Sequence, residues 1–232
     1  MASLPAYDSN ATARIDDNAR FNRATLGVYE LGSIFKGFNV GIGLDTHRIT
    51  LDRRYDATHP LHVGRHMQID DFKPQRRWLT VPEVLVHSSN IASAQIAAEI
   101  GAESQRRYFK SLGLLDPLPI ELGERGTPLA PRPWGPVETM TVGFGHGISV
   151  TPLHLASALA ALVNGGVYHP PHLLANDAES ALSRRVFSAE TSRTMRGLLR
   201  MVVRHGTGKK ADVPGYRVGG KTGTAEKVVN GH

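Results

Sequence analysis

The sequence of 232 residues contains no cysteine and no long hydrophobic run. Without cysteine it cannot form a disulfide framework, a thiolate zinc site or a cysteine nucleophile, although this says nothing about the compartment. No stretch approaches the roughly 18 apolar residues that a membrane-spanning helix needs. The first residues also lack the basic and apolar regions of a secretory signal, so any export information is expected to lie outside this sequence.

Positive charge is in excess but is not concentrated. The formal net charge is +6, and paired cations such as Arg53-Arg54 and Lys209-Lys210 are scattered along the chain. This pattern argues against nucleic-acid binding and is compatible with an anionic substrate or polymer. Apolar residues make up 41% of the chain, enough for one substantial core.

The pattern of apolar residues, caps and breakers predicts an α+β fold with a helical middle and strand-like pieces. Residues 1–28 are polar and turn-rich, so structure is expected to begin near Ser33. Helices are predicted after Ser33, from a capping box at Thr80 and Glu83, from Ile91 to Gly101, from Glu103 to Leu112, from Leu153 to Val163 and from Ala189 to His205. Short strands are predicted between Ile49 and Phe72 and from Tyr216 to Val229, with a loop from Asp116 to Gly135. The Leu153–Val163 helix is apolar all round, which predicts a central, buried position.

Three short motifs follow one another in the chain. They are Ser33-Ile34-Phe35-Lys36, Ser88-Ser89-Asn90 and Lys221-Thr222-Gly223-Thr224. Each motif alone is weak, since a serine three residues before a lysine and an SxN triplet both arise by chance. Their conjunction is typical of a serine acyl-transfer site.

The chemistry of such a site assigns a role to each motif. Ser33 and Lys36 share one helical face, as a nucleophile and its base require. For Lys36 to accept a proton near neutrality its pKa must fall from roughly 10.4 to near 7, which burial beside a second cation, Lys221, would achieve. Ser88 is a candidate proton relay between the two lysines and the leaving group.

The remaining motif residues are candidates for binding substrate. Asn90 has an amide that suits both Lys36 and a substrate amide. The backbone N–H groups of Ser33 and Thr224 are candidates for an oxyanion hole, and the hydroxyls of Thr222 and Thr224, beside Gly223, suit a substrate carboxylate.

The chain resembles the penicillin-binding proteins, specifically class B D,D-transpeptidases of the cell-division type. The likeness runs nearly end to end and is strongest in the segments 1–8, 29–36, 87–90, 143–152 and 218–227, of which the last, together with 72–77, resembles alphaproteobacterial members. Leu31 departs from the pattern, since the family usually has proline two residues before the nucleophile.

The resemblance implies a penicillin-binding-protein and serine β-lactamase-like transpeptidase domain, with a helical subdomain and an antiparallel sheet. Ser33 would attack the penultimate D-alanyl carbonyl of a peptidoglycan stem peptide, and β-lactams would be trapped at the same serine. The likeness also implies the periplasmic face of the bacterial inner membrane, and a septal glycosyltransferase and other divisome proteins as partners. It implies no cofactor and no metal.

The resemblance further suggests that residues 1–232 form a partial transpeptidase domain, truncated at both ends. The membrane anchor, the pedestal domain, the last sheet strands and the C-terminal helix are expected to be missing. In the family the Lys-Thr-Gly motif lies on a strand of a five-stranded sheet. Without neighbouring strands, residues 216–225 would have little to pair with, so low stability and weak activity are expected.

Several other interpretations of the sequence compete with that of a transpeptidase domain. Residues 215–222 fit the P-loop pattern literally, but no buried strand precedes them and no helix is indicated after them. His59, His62 and His66, or His169 and His172, have ligand-like spacing without carboxylate or cysteine company. A penicillin-sensing receptor domain would share the three motifs. A serine β-lactamase would need a group that activates water, for which Glu121, Glu124 and Glu138 are the available carboxylates.

Overall fold

A computed structural model describes residues 3–8, 10, 16–64, 67–173 and 183–224. The helices are α1 (Asp17–Arg20), α2 (Phe35–Asp45), α3 (Val81–His87), α4 (Asn90–Ile100), α5 (Ala102–Ser111), α6 (Pro136–Val142), α7 (Pro152–Val163) and α8 (Ala189–His205), with 3-10 turns at Gly32–Ile34 and Lys209–Ala211. The strands are β1 (Tyr29–Glu30), β2 (Arg54–Asp56), β3 (Leu61–Val63), β4 (Met67–Ile69), β5 (Trp78–Thr80), β6 (Ser149–Val150), β7 (Val167–Tyr168) and β8 (Arg184–Arg185).

Helix α2 lies at the centre of the fold. Every residue from Phe35 to Gly43 is buried, and the ring of Phe35 packs at 5.7 Å from the rings of Phe38 and Phe109. Gly41 lets a neighbouring helix approach closely, because a Cβ there would lie 2.8 Å from Leu162 Cδ1. The helix that follows Ser33 in sequence is therefore anchored in the main core.

The prediction that the Leu153–Val163 helix is the central one was wrong. Helix α7 forms where predicted, but Ala156 and Ala160 are exposed and only one side faces the core. Alanine is apolar yet tolerates solvent, so a helix that is apolar all round in composition can still lie at the surface. In α2, by contrast, the glycines lower the helix propensity of the segment, but they allow the helix to be buried because they leave room for neighbouring side chains.

Helices α3 and α4 hold the second motif between them. The capping box of Thr80 and Glu83 forms as predicted, with Glu83 Oε2 accepting from the Thr80 N–H at 2.9 Å. Ser88 ends α3 in the left-handed conformation, at φ 60° and ψ 42°. The Ser89 side chain then caps α4 by accepting from the Ala92 N–H at 3.1 Å. The motif is therefore a tight turn between two helix ends.

The strands of the described residues form four separate two-stranded antiparallel sheets. β1 pairs with β6, β2 with β5, β3 with β4 and β7 with β8. The predicted strands between Ile49 and Phe72 are confirmed as β2, β3 and β4, although the Ile49–Leu51 piece is not a strand. The predicted α+β class is confirmed, with several small sheets rather than one large one in the part described.

The prediction of a strand from Tyr216 to Val229 was wrong for residues 216–224, which have no strand pairing. In that segment the Gly220 N–H donates to the Leu199 carbonyl on α8 at 3.1 Å, so it lies along a helix instead of in a ladder. Residues 225–229 of the prediction lie outside the described ranges. A strand needs a neighbour to satisfy its backbone, and the described residues supply none at this point.

The helices from Asn90 to Ser111 and from Ala189 to His205 match their predictions, and Ser188 caps α8 by accepting from the Thr191 N–H at 3.0 Å. Helix α6 was not predicted, because its seven residues lie next to a proline-rich loop and carry little apolar periodicity. In the residues described, no helix has the length and apolar character needed to cross a membrane.

Candidate active site

Ser33 and Lys36 lie on the first turn leading into the central helix. Ser33 is in the 3-10 turn that precedes α2, and Lys36 is in the first turn of α2 itself. The Lys36 Nζ lies 3.0 Å from Ser33 Oγ, and the Lys36 side chain is fully buried while Ser33 is half-buried. The two side chains meet as their spacing predicts, with the hydroxyl nearer to solvent than the amine.

The hydrogen-bond partners of Lys36 allow the lone pair of its neutral amine to face a hydroxyl group. Its Nζ lies 2.6 Å from the Ser88 carbonyl oxygen and 2.7 Å from Asn90 Oδ1, and both of these oxygens are acceptors only. A neutral amine has two N–H donors, which these acceptors occupy. The lone pair then faces the hydroxyls of Ser33 and Ser88, at 3.0 and 3.1 Å.

Electrostatics favour that neutral form. Burial lowers the pKa of Lys36 well below its usual value, because it removes the ammonium from water, and the positive charge of Lys221 lowers this pKa further. The Asp71 carboxylate acts in the opposite direction. The lysine is therefore suited to accept a proton, which is the property required of a base beside a serine nucleophile.

Asp71 fixes the second motif, and sequence reasoning missed it. Its carboxylate accepts from Ser89 Oγ at 2.8 Å, from the Ile91 N–H at 3.0 Å and from the Asn90 N–H, so it caps the start of α4. The Asp70 carbonyl accepts from Asn90 Nδ2 at 2.9 Å, which directs Asn90 Oδ1 towards Lys36. Asp71 lies 17 residues before Ser88 in a segment with no recognisable motif, so no local signal pointed to it.

Ser88 lies between the two lysines. Its hydroxyl accepts from Lys221 Nζ at 2.8 Å and lies 3.1 Å from Lys36 Nζ. Lys221 also donates to the Thr222 carbonyl at 3.0 Å, and burial lowers its pKa to about 8. The predicted bridge of Lys36, Ser88 and Lys221 is thus formed by side chains from three separate segments.

Residues Thr222 to Thr224 lie at the open side of this group. All three are exposed, and Thr222 Oγ1 lies 2.7 Å from Thr207 Oγ1. The backbone of Thr224 packs against Gly32, because a Cβ on Gly32 would lie 2.1 Å from the Thr224 carbonyl oxygen. Gly32 has φ +53°, so this position favours glycine for two independent reasons. The amide groups of Ser33 and Thr224 therefore belong to two segments that are in contact.

A loop from Gly143 to Gly147 closes the third side. Gly145, at φ +88°, packs against the Gly32 carbonyl oxygen, from which its Cβ would lie only 1.9 Å away. Ser93 on α4 donates from its Oγ to the Gly143 carbonyl at 2.8 Å. All eight residues proposed from the three motifs thus lie at one site, which is bounded by this loop.

The metal-site, P-loop and β-lactamase interpretations find no support in this geometry. Among the described residues no group of three or more His, Asp or Glu side chains could hold a metal ion, and His66 lies outside the described ranges. Lys221 of the P-loop pattern contacts Ser88, and no helix follows it up to Thr224. Glu138 caps α6 by accepting from the Gly135 N–H at 3.0 Å, and Glu121 accepts from the Leu173 N–H at 2.9 Å. These carboxylates make their contacts away from Ser33.

Sequence comparison agrees with the site. Residues 1–232 match the penicillin binding protein transpeptidase domain. The chain is 43% identical, over 98% of its length, to the probable peptidoglycan D,D-transpeptidase FtsI of Caulobacter vibrioides. It is 30% identical, again over 98% of its length, to the peptidoglycan D,D-transpeptidase FtsI of Escherichia coli. It spans 39% of each of these relatives, which is about two fifths of their length.

Structural comparison gives the same family. The transpeptidase domain of penicillin-binding protein 3 from Burkholderia pseudomallei superposes with a TM-score of 0.82 at 35% identity, covering 90% of this chain and 64% of that one. The predicted fold of helices and antiparallel sheets is confirmed by this match. The chain belongs to the penicillin-binding protein transpeptidase domain family.

Proposed function

We propose that this chain is the acyl-transfer domain of a D,D-transpeptidase that cross-links peptidoglycan stem peptides during septal cell-wall synthesis. The observation that carries the proposal is the buried Lys36 amine, 3.0 Å from Ser33 Oγ, with its N–H donors occupied by two carbonyl oxygens. The names of the relatives support the reaction class.

The first half-reaction forms an acyl-enzyme. Ser33 Oγ attacks the penultimate D-alanyl carbonyl carbon, and its proton passes to the lone pair of Lys36. The negative charge on the carbonyl oxygen is held by the N–H groups of Ser33 and Thr224. When the tetrahedral intermediate collapses, the C–N bond to the terminal D-alanine breaks, and the departing nitrogen takes a proton from the Lys36 ammonium through the Ser88 hydroxyl.

The second half-reaction reverses these steps with a new amine. An amino group from a neighbouring stem peptide attacks the acyl-enzyme carbonyl and gives up a proton to Lys36 through Ser88. The C–O bond to Ser33 then breaks, and the proton returns to Ser33 Oγ. The product is a peptide bond between two strands, and the enzyme is restored without any cofactor or metal.

The third motif serves binding. Lys221 carries its charge beside Ser88 and, with the hydroxyls of Thr222 and Thr224, suits the carboxylate of the terminal D-alanine. Gly223 allows close approach to the turn before Ser33, since a Cβ there would lie 2.5 Å from the Leu31 carbonyl oxygen. Asn90 holds Lys36 through its Oδ1 at 2.7 Å, and its amide is the proposed contact for a substrate amide.

The biological setting follows from the substrate. Peptidoglycan lies outside the inner membrane, so we propose that the full-length protein works at the periplasmic face of that membrane. A septal glycosyltransferase and other divisome proteins are the proposed partners, and β-lactams are the proposed covalent inhibitors at Ser33. No nucleic acid takes part in the proposed reaction.

The test is the intact mass of the purified chain after exposure to benzylpenicillin. We expect a time-dependent gain of one penicillin mass, because ring opening expels no leaving group, and no gain in Ser33→Ala. Circular dichroism on both proteins checks that the variant folds. A wild-type chain without adduct at prolonged exposure, or a Ser33→Ala variant that still gains mass, overturns the proposal.

A second assay separates the transpeptidase from a penicillin-sensing receptor or a β-lactamase. The chain is incubated with a pentapeptide stem ending in D-Ala-D-Ala and an acceptor amine, and the product is analysed by mass spectrometry. A transpeptidase releases D-alanine and forms the cross-linked product. A receptor forms a stable adduct with penicillin but no cross-link, whereas a β-lactamase turns nitrocefin over rapidly.

A further inference from the structure

The Glu30 side chain, three residues before Ser33, bonds to a segment remote in sequence. Its Oε1 accepts from the Gly147 N–H at 2.8 Å, and its Oε2 lies 3.5 Å from His146 Nδ1. The His146 side chain is 65% exposed, and an exposed pair of this kind contributes little. The bond to the Gly147 N–H is therefore the contact that matters.

This bond is not needed to join the two strands. β1 and β6 already pair through their backbones, with Tyr29 opposite Val150 and Glu30 opposite Ser149. The Glu30 carboxylate instead reaches beyond the ladder to the loop that precedes β6. It fastens the exposed end of the Gly143–Gly147 loop, whereas the buried Ser93 hydroxyl fastens the other end at the Gly143 carbonyl.

Between these two hydrogen bonds, the loop contacts the peptide group that joins Gly32 to Ser33. Gly145 packs directly against the Gly32 carbonyl oxygen. That carbonyl and the Ser33 N–H belong to one planar peptide unit, so a shift of the oxygen rotates the N–H with it. The loop thus touches the peptide group on which the direction of the Ser33 N–H depends.

We propose that Glu30 is a positioning residue for the oxyanion hole, acting through Gly147 and Gly145 on the Gly32–Ser33 peptide. The inference rests on the proposed function, because it assigns the Ser33 N–H to the developing negative charge. An oxyanion-hole donor is effective only when it is directed in advance at the position the oxyanion will occupy. Glu30 supplies that direction without touching substrate.

The test compares three variants of the full chain in acylation by a fluorescent penicillin. A concentration series separates the acylation rate constant from the dissociation constant of the non-covalent complex. Glu30→Ala removes the acceptor. Glu30→Gln keeps an oxygen that can accept from the Gly147 N–H. Glu99→Ala is the matched control, because Glu99 has a similar side-chain exposure, 31% against 29%, and also bonds a distant segment, through Arg53 and Tyr55.

We expect Glu30→Ala to lower the acylation rate constant about ten- to thirtyfold and to leave the dissociation constant nearly unchanged. This loss is smaller than the roughly 10²–10³-fold fall in rate that follows removal of a whole oxyanion-hole donor. Glu30→Gln should recover most of the rate, and Glu99→Ala should keep it. The inference is overturned by an unchanged rate in Glu30→Ala, by an effect confined to the dissociation constant, or by an equal loss in Glu99→Ala.

A second measurement needs no chemistry and separates this inference from the proposed function. In amide NMR spectra, Glu30→Ala should shift the Ser33 and Gly147 resonances and leave those of α5 in place. An unmoved Ser33 resonance refutes the positioning role even in a chain that does not react with penicillin. Conversely, a moved resonance in a chain that forms no adduct supports the linkage through the loop and refutes only the proposed reaction.

Discussion

The two sides of the candidate site are built differently. The helical side, formed by Ser33, Lys36 and the turn Ser88–Asn90, lies between α2, α3 and α4 with a fully buried lysine. The C-terminal side, Lys221–Thr224, is mostly exposed and has no strand pairing in the described residues. Lys36 contacts oxygens of three other residues, whereas outside its own motif Lys221 bonds Ser88.

This difference matches the roles proposed for the two lysines. A general base must present a lone pair in a fixed direction, and only a packed environment with every N–H donor occupied can hold a lysine in that way. A cation that binds a carboxylate must keep its charge and remain open to an incoming ligand. The pKa of Lys221 falls to about 8, which leaves it largely charged near neutrality, while burial and the Lys221 charge hold the pKa of Lys36 well below its usual value.

Removing the base should have the largest effect. Lys36→Met keeps most of the side-chain volume but has no lone pair to accept the Ser33 proton, so we expect acylation to fall about 10²–10⁴-fold. The measurement is the rate of fluorescent penicillin labelling. Lys209→Met, on the exposed 3-10 turn Lys209–Ala211, removes the same charge as a control and should label normally. Labelling of Lys36→Met within tenfold of the wild type would identify a different base.

Separating the two sides should have the next largest effect. Gly32→Ala adds a Cβ 2.1 Å from the Thr224 carbonyl oxygen at a residue with φ +53°, so the C-terminal side must move away. We expect acylation to fall about a hundredfold, the usual result of a displacement near 1 Å. Gly37→Ala is the control, since its Cβ would meet only Leu162 Cδ2 at 3.9 Å. Equal rates in the two variants would show that contact between the sides is unimportant.

Lys221→Met should reveal how the C-terminal side acts on the helical side. In the wild type, the acylation rate should rise with pH as Lys36 loses its proton and fall above about 8 as Lys221 loses its own. Because the Lys221 charge lowers the pKa of Lys36, its removal should move the rising limb to higher pH and abolish the falling limb. We expect a rate loss of about tenfold or more at neutral pH, of the size typical for lost electrostatic stabilisation.

The pH profile of Lys221→Arg separates the effect of the positive charge from the effect of losing a proton near pH 8. Arginine keeps the positive charge and does not deprotonate in this range, so the rising limb should stay near its wild-type position while the falling limb disappears. If the rising limb of Lys221→Met does not move, the two lysines are not coupled through the site, and the pKa of Lys36 is lowered by burial without a contribution from Lys221.

The comparison between the two sides also separates what the sequence could predict from what it could not. The helical side follows from local signals: the capping box at Thr80 and Glu83, the Ser89 cap and the serine-lysine spacing all depend on residues within one turn. Asp71 and Glu30 act through contacts between distant segments, for which periodicity has no signal. The strand predicted after Tyr216 failed for the same reason, since pairing requires a partner that lies elsewhere in space.

The smallest expected effects come from one hydroxyl on each side. Ser93 is fully buried and donates to the Gly143 carbonyl at 2.8 Å, so Ser93→Ala leaves a buried acceptor unpaired and should lower the free energy of unfolding by about 1–3 kcal/mol. Thr207 is exposed and lies 2.7 Å from Thr222 Oγ1, so Thr207→Val should leave stability within about 0.5 kcal/mol. Thr207→Val should instead raise the dissociation constant of the non-covalent penicillin complex about two- to fivefold. This is about the effect of losing one net hydrogen bond.

Thermal melts and the penicillin concentration series measure the two quantities on the same samples. A Ser93 variant that melts at the wild-type temperature would mean that the helical side is not rigidly built. A Thr207 variant that loses stability would mean that the C-terminal side, although exposed, is held as firmly as its neighbour. Either result would show that the helical side and the C-terminal side are held equally firmly by their hydrogen bonds. The different behaviour of Lys36 and Lys221 would then have to be explained by their different burial and not by a difference in rigidity.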